Sequence, residues 1–187
     1  MESPADAAYI SVDVETAGPN PGQYSLLSLG ACLVFEPANT FYVEVQPVTD
    51  AFVPEALRIT GLEMEKLRAH GLTPEHAMSE FSDWVSHAVP GHRQPIFVAL
   101  NAAFDWMFVA DYFHRYLGRN PFGHKALDIK ALFMGVAGTD WDETGFGHIA
   151  KHFQIEQPLT HHALEDAVAQ AGLFRKILEE ARTRAKP

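Results

Sequence analysis

The segment Tyr9 to Glu15 (YISVDVE) constrains the fold more than any other stretch of the chain. Its alternation sets Ile10, Val12 and Val14 on one face and Ser11, Asp13 and Glu15 on the other, the pattern of a β-strand with one apolar side. Residues two apart on a strand project from the same face with Cβ atoms roughly 6–7 Å apart, so Asp13 and Glu15 stand side by side. On a half-buried strand, each carboxylate raises the pKa of the other and opposes sheet formation unless a Lys, an Arg or a metal cation balances the pair. Residues 1–57 carry eight acids and no Lys or Arg, so no basic side chain is local. The competing reading is an exposed edge strand with two solvated acids, which D-x-E alone does not exclude.

The rest of the first third also reads as strands. After the Gly/Pro-rich turn Ala17 to Gly22, Leu26 to Phe35 has the length and apolar content of a buried strand, and Phe41 to Val45 makes a third. The short separations predict an antiparallel meander. The period then changes. Pro54 to Ile59 reads as a short helix ended by Gly61, and Pro74 to Val89 as a longer one with Thr73 as N-cap. Ile96 to Leu100 is a compact strand, and Asn101 is placed to cap a helix reaching about Leu117. Ala126 to Asp128 reads as a short strand leading into a helix over Ile129 to Met134. Gly135 to Gly147 is loop-like, Gly147 to Phe153 a short helix, and Ala163 to about Arg182 a long C-terminal helix. This order, β-β-β-α-α-β-α-β-α-α-α, predicts an α/β chain with a mixed sheet covered by helices. A length of 187 residues fits one domain.

Two further acids fall at element boundaries. Asp105 follows the strand Ile96 to Leu100 and sits in the first turn of the next helix, where the helix dipole keeps a carboxylate ionised. Asp166 lies in the first turn of the C-terminal helix, five residues after His161. A loop His beside acids can act as general base for water, although the adjacent His162 is chemically equal. Acids at strand ends and helix starts of an α/β chain converge on one crevice. Oxygen ligands with a single His specify Mg²⁺ or Mn²⁺ over zinc. Two such ions about 3.5–4 Å apart activate a water and stabilise a leaving oxygen in phosphodiester cleavage.

The segments VDVETAG (Val12 to Gly18), NAAFDWMF (Asn101 to Phe108) and HHALEDA (His161 to Ala167) resemble the three motifs of the DEDDh, or DnaQ-like, 3′-to-5′ exonucleases. LLSLGA, VPEALRITGL and ALDIKAL are similar as well, so the resemblance covers about residues 8–180 of a single domain over 1–187. It implies a ribonuclease H-like fold: a mixed central β-sheet, three antiparallel strands then parallel additions, flanked by helices. By position it assigns Asp13, Glu15, Asp105 and Asp166 as catalytic ligands of two divalent cations, Mg²⁺ or Mn²⁺. The family's H-x-A-x-x-D pattern selects His161 as the catalytic base and leaves His162 as a spacer. Thr16, Ala17, Leu62, Asn101 and Phe104 correspond to residues that hold the 3′-terminal nucleotide. Ala17 stands where a second Thr is frequent, and Leu100 where a His often precedes the Asn, which bears on base and sugar preference.

The implied reaction is hydrolysis at single-stranded RNA or DNA 3′ ends with release of a 5′-mononucleotide, the choice of polymer staying open. The alternatives are a non-catalytic nucleotide- or nucleic-acid-binding module on this fold, a proofreading-type subunit of a DNA polymerase, and an endonuclease of ribonuclease H type. No polymerase-binding tail follows the last helix, so a stand-alone RNA-trimming or DNA-repair enzyme is expected. The net charge of −10 argues against a broad phosphate-binding face, so the expected grip is on a few nucleotides at a strand end and not on long duplexes. Arg115, Arg119, Lys125 and Lys130 form the densest basic stretch, expected to flank the substrate groove, with a solvated surface as the alternative.

One cysteine, Cys32 in an apolar run, excludes a disulfide framework and suits the cytoplasm. No apolar run approaches the ~18 residues that span a bilayer, so a membrane is not an expected partner, while a homodimer is left open. Three signals are set aside. His148 and His152 have zinc spacing without the Glu of a metalloprotease. The segment QAGLF (Gln170 to Phe174) resembles a sliding-clamp peptide but lies inside a helix. Phe104, Trp106 and Phe108 could stack single-strand bases but have the spacing of core residues.

Overall fold

A computed structural model describes residues 6–156 and 159–184, so the ends of the expected 1–187 unit lie outside it. The chain runs β1 (Ala7–Thr16), β2 (Leu26–Leu33), β3 (Glu36–Glu44), α1 (Pro54–Thr60), α2 (Met64–His70), α3 (Pro74–Ala88) and β4 (Gln94–Ala99). It continues through α4 (Ala102–Leu117), β5 (Ala126–Asp128), α5 (Ile129–Ala137), a 3₁₀ turn (Trp141–Glu143), α6 (Phe146–His152) and α7 (Ala163–Arg184). The strands form one sheet in the order β3-β2-β1-β4-β5. β1, β2 and β3 are antiparallel neighbours, and β4 and β5 add in parallel. The expected mixed sheet is therefore the architecture found.

β1 is the middle strand, with helices over both faces. Ala8, Ile10, Val12 and Val14 pack with Leu29, Ala31 and Phe97 under α3 and α4, where Phe81, Val85, Phe108 and Phe113 complete the core. On the other face Cys32 and Val98 meet Ile129, Phe133, Ile149, Phe174 and Ile177 from α5, α6 and α7. All eight residues of β2 are buried, because a strand covered on both sides needs an apolar run and not an alternation. Asp13 and Glu15 belong to the face that α7 covers, so the solvated edge-strand reading fails. No helix among the described residues is long and apolar enough to cross a membrane.

Three local expectations need correction. β3 starts at Glu36 and not at Phe41: its first residues are exposed on the sheet edge, where ladder pairing such as Cys32↔Thr40 holds them without an apolar pattern. α2 was not anticipated, since MEKLRAH carries only Met64 and Leu67 as buried residues, too few to show a period. They form a small cluster with Ala17 and Leu27. The 3₁₀ turn falls inside the predicted loop.

Gly30 on β2 pairs with Asp13. A Cβ there would stand 2.2 Å from Leu164 N and 2.3 Å from Ala163 C, so the missing side chain lets the first turn of α7 rest on the sheet. Gly30→Ala is expected to lift α7 off β2 and to destabilise by about 1–3 kcal/mol, a drop of several degrees in melting temperature. A melt unchanged within a degree would refute that close approach.

Candidate active site

β1 and β4 pair only from Ala7↔Gln94 to Ser11↔Val98. Beyond this point β1 continues to Thr16 while β4 turns into α4, so backbone groups at the fork lose their ladder partners. Side chains replace them. The Val14 N–H donates to Asp105 Oδ1 at 3.1 Å, and the Leu100 N–H donates to Gln170 Oε1 at 2.9 Å. The fork opens as a crevice of about 180 Å³ lined by Asp13, Val14, Glu15, Leu100, Asn101, Phe104, Asp105, Leu159, His161 and Asp166. It lies at the carboxyl ends of β1 and β4, where the sheet switches from antiparallel to parallel neighbours.

The start of α4 is built differently from the expectation. Asn101 does not cap the helix: it takes the left-handed conformation (φ 64°, ψ 50°) and makes no side-chain cap bond. Asn tolerates this region better than most residues. The cap comes from Asp128 at the end of β5, whose Oδ2 accepts from the Ala102 N–H and whose Oδ1 accepts from the Ala131 N–H at 2.7 Å. One carboxylate thus starts both α4 and α5, and Asn101 turns toward the crevice.

At the other wall, Asp166 holds the turn before α7. Its Oδ1 accepts from the Thr160 N–H at 2.8 Å and from the Thr160 hydroxyl, and its Oδ2 accepts from the His161 N–H at 3.0 Å. His161 is left-handed (φ 58°), which sends two consecutive side chains apart. The imidazole of His161 comes within 4.8 Å of ligand atoms of Glu15 and Asp166. His162 instead stacks on Tyr42 of β3, with ring centroids 4.6 Å apart.

The acids strain one another. Burial, then the charge of Asp166, pushes the Asp13 carboxyl up to about 8, opposed by the hydrogen bond from Gln170. Burial, then Asp13 and Asp166, pushes Glu15 up to about 8. Asp105 is raised well above the usual carboxylate range by burial and then by Asp13. Among the described residues no Lys or Arg lines the crevice, so they do not supply there the neutralising charge that the sequence demands. Glu15, His161 and Asp166 form the one group of converging ligand atoms among the described residues. A crowd of carboxylates with one imidazole fits a hard divalent cation.

A pH dependence follows. The unfolded chain ionises these carboxyls near pH 4, whereas the folded chain holds two of them protonated up to about 8. In chelator, the contribution of Asp13 and Glu15 to stability should therefore be fully present below about pH 4 and be lost as pH rises toward 8. Mn²⁺ at about a hundredfold excess over its Kd should return about 2.7 kcal/mol, or about 5–10 °C in melting temperature at pH 8. Equal melting temperatures at pH 8 with and without Mn²⁺ would refute a cation site.

All five residues expected to be catalytic, Asp13, Glu15, Asp105, His161 and Asp166, line this crevice, together with Asn101 and Phe104. Thr16, Ala17 and Leu62 do not. The Thr16 hydroxyl donates to the Gly18 carbonyl, Ala17 is fully buried with its N–H on Ser25 and its carbonyl on Val53, and Leu62 packs with Ala17 and Leu27. Of the three aromatics in the second motif only Phe104 lines the crevice, since Trp106 packs edge-on to Phe97 and Phe108 is core.

The basic stretch does not form one wall. Arg115 pairs with Asp111 at 2.7 Å and, with Arg119, lies at the far end of the 16-residue α4, about 24 Å from its start. Lys130, near the crevice end, covers the Trp141 ring at 4.1 Å. His152 is bound to Glu180 at 2.8 Å, away from the acids. Leu173 and Phe174 are core. Gln170 and Asp128 are the residues that sequence reasoning missed, since their partners are 70 and 26 residues away.

Comparison with known proteins gives a consistent result. Residues 10–174 match the sequence profile of the exonuclease family RNase_T. The chain is 48% identical over 169 residues to the "3′-5′ DNA exonuclease Cap18" of Escherichia coli, covering 90% of each protein. It is 26% identical to the "DNA polymerase III PolC-type" of Staphylococcus aureus, spanning only 12% of that protein. The fold matches the nuclease domain of 3′hExo, a DEDDh family member bound to rAMP, with TM-score 0.79 at 13% identity over 96% of this chain and 95% of that one. It also matches E. coli Exonuclease I in complex with a dT13 oligonucleotide, with TM-score 0.74 at 19% identity over 96% of this chain and 42% of that one.

Proposed function

The chain belongs to the RNase_T exonuclease family, and from that premise we propose that it is a 3′-to-5′ exonuclease that removes nucleotides from single-stranded DNA ends as 5′-monophosphates. The observation that carries this reading is the convergence of Asp13, Glu15, Asp105, Asp166 and His161 in one crevice that no Lys or Arg lines among the described residues. DNA is favoured over RNA because the relative that shares 48% identity along nearly the whole chain is described as a DNA exonuclease.

Asp13, Glu15, Asp105 and Asp166 would hold two divalent cations, Mg²⁺ or Mn²⁺, which when bound polarise the scissile phosphate and lower the pKa of water. Phe104 offers an apolar ring to the terminal base or sugar, and Asn101, whose side chain is not spent on capping, offers an amide to the nucleotide's polar groups. Leu100 and Leu159 add apolar surface to the lining of the crevice. His161, exposed on its turn, takes the proton of the attacking water. The adjacent carboxylates of Glu15 and Asp166 stabilise the imidazolium that forms; the departing 3′ oxygen takes a proton from solvent to become a hydroxyl, and the imidazolium returns its proton to solvent.

The test is incubation of the purified protein with Mn²⁺ or Mg²⁺ and 5′-labelled single-stranded DNA, single-stranded RNA and duplex DNA. A ladder shortening from the 3′ end, fastest on single-stranded DNA, is expected. A faster ladder on RNA would move the substrate assignment, and binding without cleavage of any polymer would establish the non-catalytic module instead.

A further inference from the structure

Gln170 lies one helical turn beyond Asp166 on α7, so both side chains leave the helix on the same side. It is 2% exposed. Its amide spans the fork between β1 and β4: Nε2 donates to Asp13 Oδ1 at 2.6 Å, and Oε1 accepts from the Leu100 N–H at 2.9 Å. The Leu100 N–H can only donate, so Oε1 must face it and Nε2 must face Asp13. One side chain thus joins the carboxylate of β1, the turn that presents Asn101, and the helix that carries Asp166.

The chemistry of this donor is specific. A Lys or Arg at the same place would neutralise Asp13 and compete with a cation for it. A neutral amide holds one oxygen of the carboxylate without discharging it, and Oδ2 has no protein donor among the described residues. We propose that Gln170 is a positioning residue: it sets the rotation of the Asp13 carboxylate so that the second oxygen is offered to a divalent cation, and it locks this oxygen in register with Asn101. The inference rests on the exonuclease reading of the same crevice.

Two variants test it. Gln170→Met keeps the volume and removes both hydrogen bonds, while Gln170→Asn keeps an amide too short to span both partners. In variants that fold by circular dichroism, Mn²⁺ affinity measured by titration calorimetry should weaken by about 10–100-fold, the range for lost outer partners of metal ligands. At saturating Mn²⁺, kcat on single-stranded DNA should fall while KM for the oligonucleotide stays put. A role in stability alone would lower the melting temperature and leave Mn²⁺ affinity unchanged. Wild-type Mn²⁺ affinity in either folded variant would overturn the proposal, as would failure of both to fold, which would assign Gln170 to the core. A wild-type protein that binds no Mn²⁺ would overturn the reading of the crevice itself, and this inference with it.

Discussion

Asp13→Asn is expected to lose cleavage by roughly 10³-fold or more, because the loss of a central anionic ligand removes several kcal/mol of transition-state stabilisation. The same variant should melt at a higher temperature than wild type in chelator at pH 8. The sign follows from the site. Asp13 is pushed up to about 8 by burial and by Asp166, so at pH 8 the unfolded chain releases its proton more readily than the folded one, and the native carboxyl is a liability. The Asn amide has no charge to bury, nearly the same shape, and an oxygen that can still accept from Gln170. Lost activity together with raised stability separates a functional carboxylate from a structural one, whose removal would lower both. A ladder assay and a melt on the same preparation decide it, and activity within tenfold of wild type would sink the assignment.

His161→Ala should lower the rate by about 10²–10⁴-fold, the usual contribution of a positioned base, whereas His162→Ala should change it by less than about tenfold. Both histidines are exposed and adjacent, and only their surroundings differ. His161 is turned toward Glu15 and Asp166, while His162 is spent on the Tyr42 ring. Loss of His162 should appear as a small drop in melting temperature, since a stacked pair of this kind contributes about 0.5–1.5 kcal/mol. If His162→Ala gave the larger loss of rate, the base would be the other residue, and the turn held by Asp166 would have to invert in the working enzyme.

Much of the site was legible from the chain. The alternation of YISVDVE placed Asp13 and Glu15 on one face, the absence of basic residues before Arg58 called for an outside cation, and Asp105 and Asp166 fell at helix starts. Thr73 caps α3 as read, accepting from the His76 N–H, because a local cap involves residues three apart and leaves a local signature. Asn101 shows the limit of that logic. It has the right type and place for a cap, yet Asp128 takes the role from 26 residues away. Ala17 and Leu62, expected to hold the terminal nucleotide, pack in one cluster with Leu27 and are not among the residues that line the crevice.

The sequence by itself therefore determined the meander of the first three strands, the mixed character of the sheet, and the identity of the acids that meet, because side-chain period and element order along the chain are local properties. Tertiary structure decided which His faces the acids, why Gly30 must lack a side chain, and how Gln170 and Asp128 hold the fork open. The physical reason is that a strand pair which diverges leaves backbone donors without ladder partners. Buried donors must be satisfied by whatever the fold brings near, and that neighbour carries no mark in its own sequence surroundings.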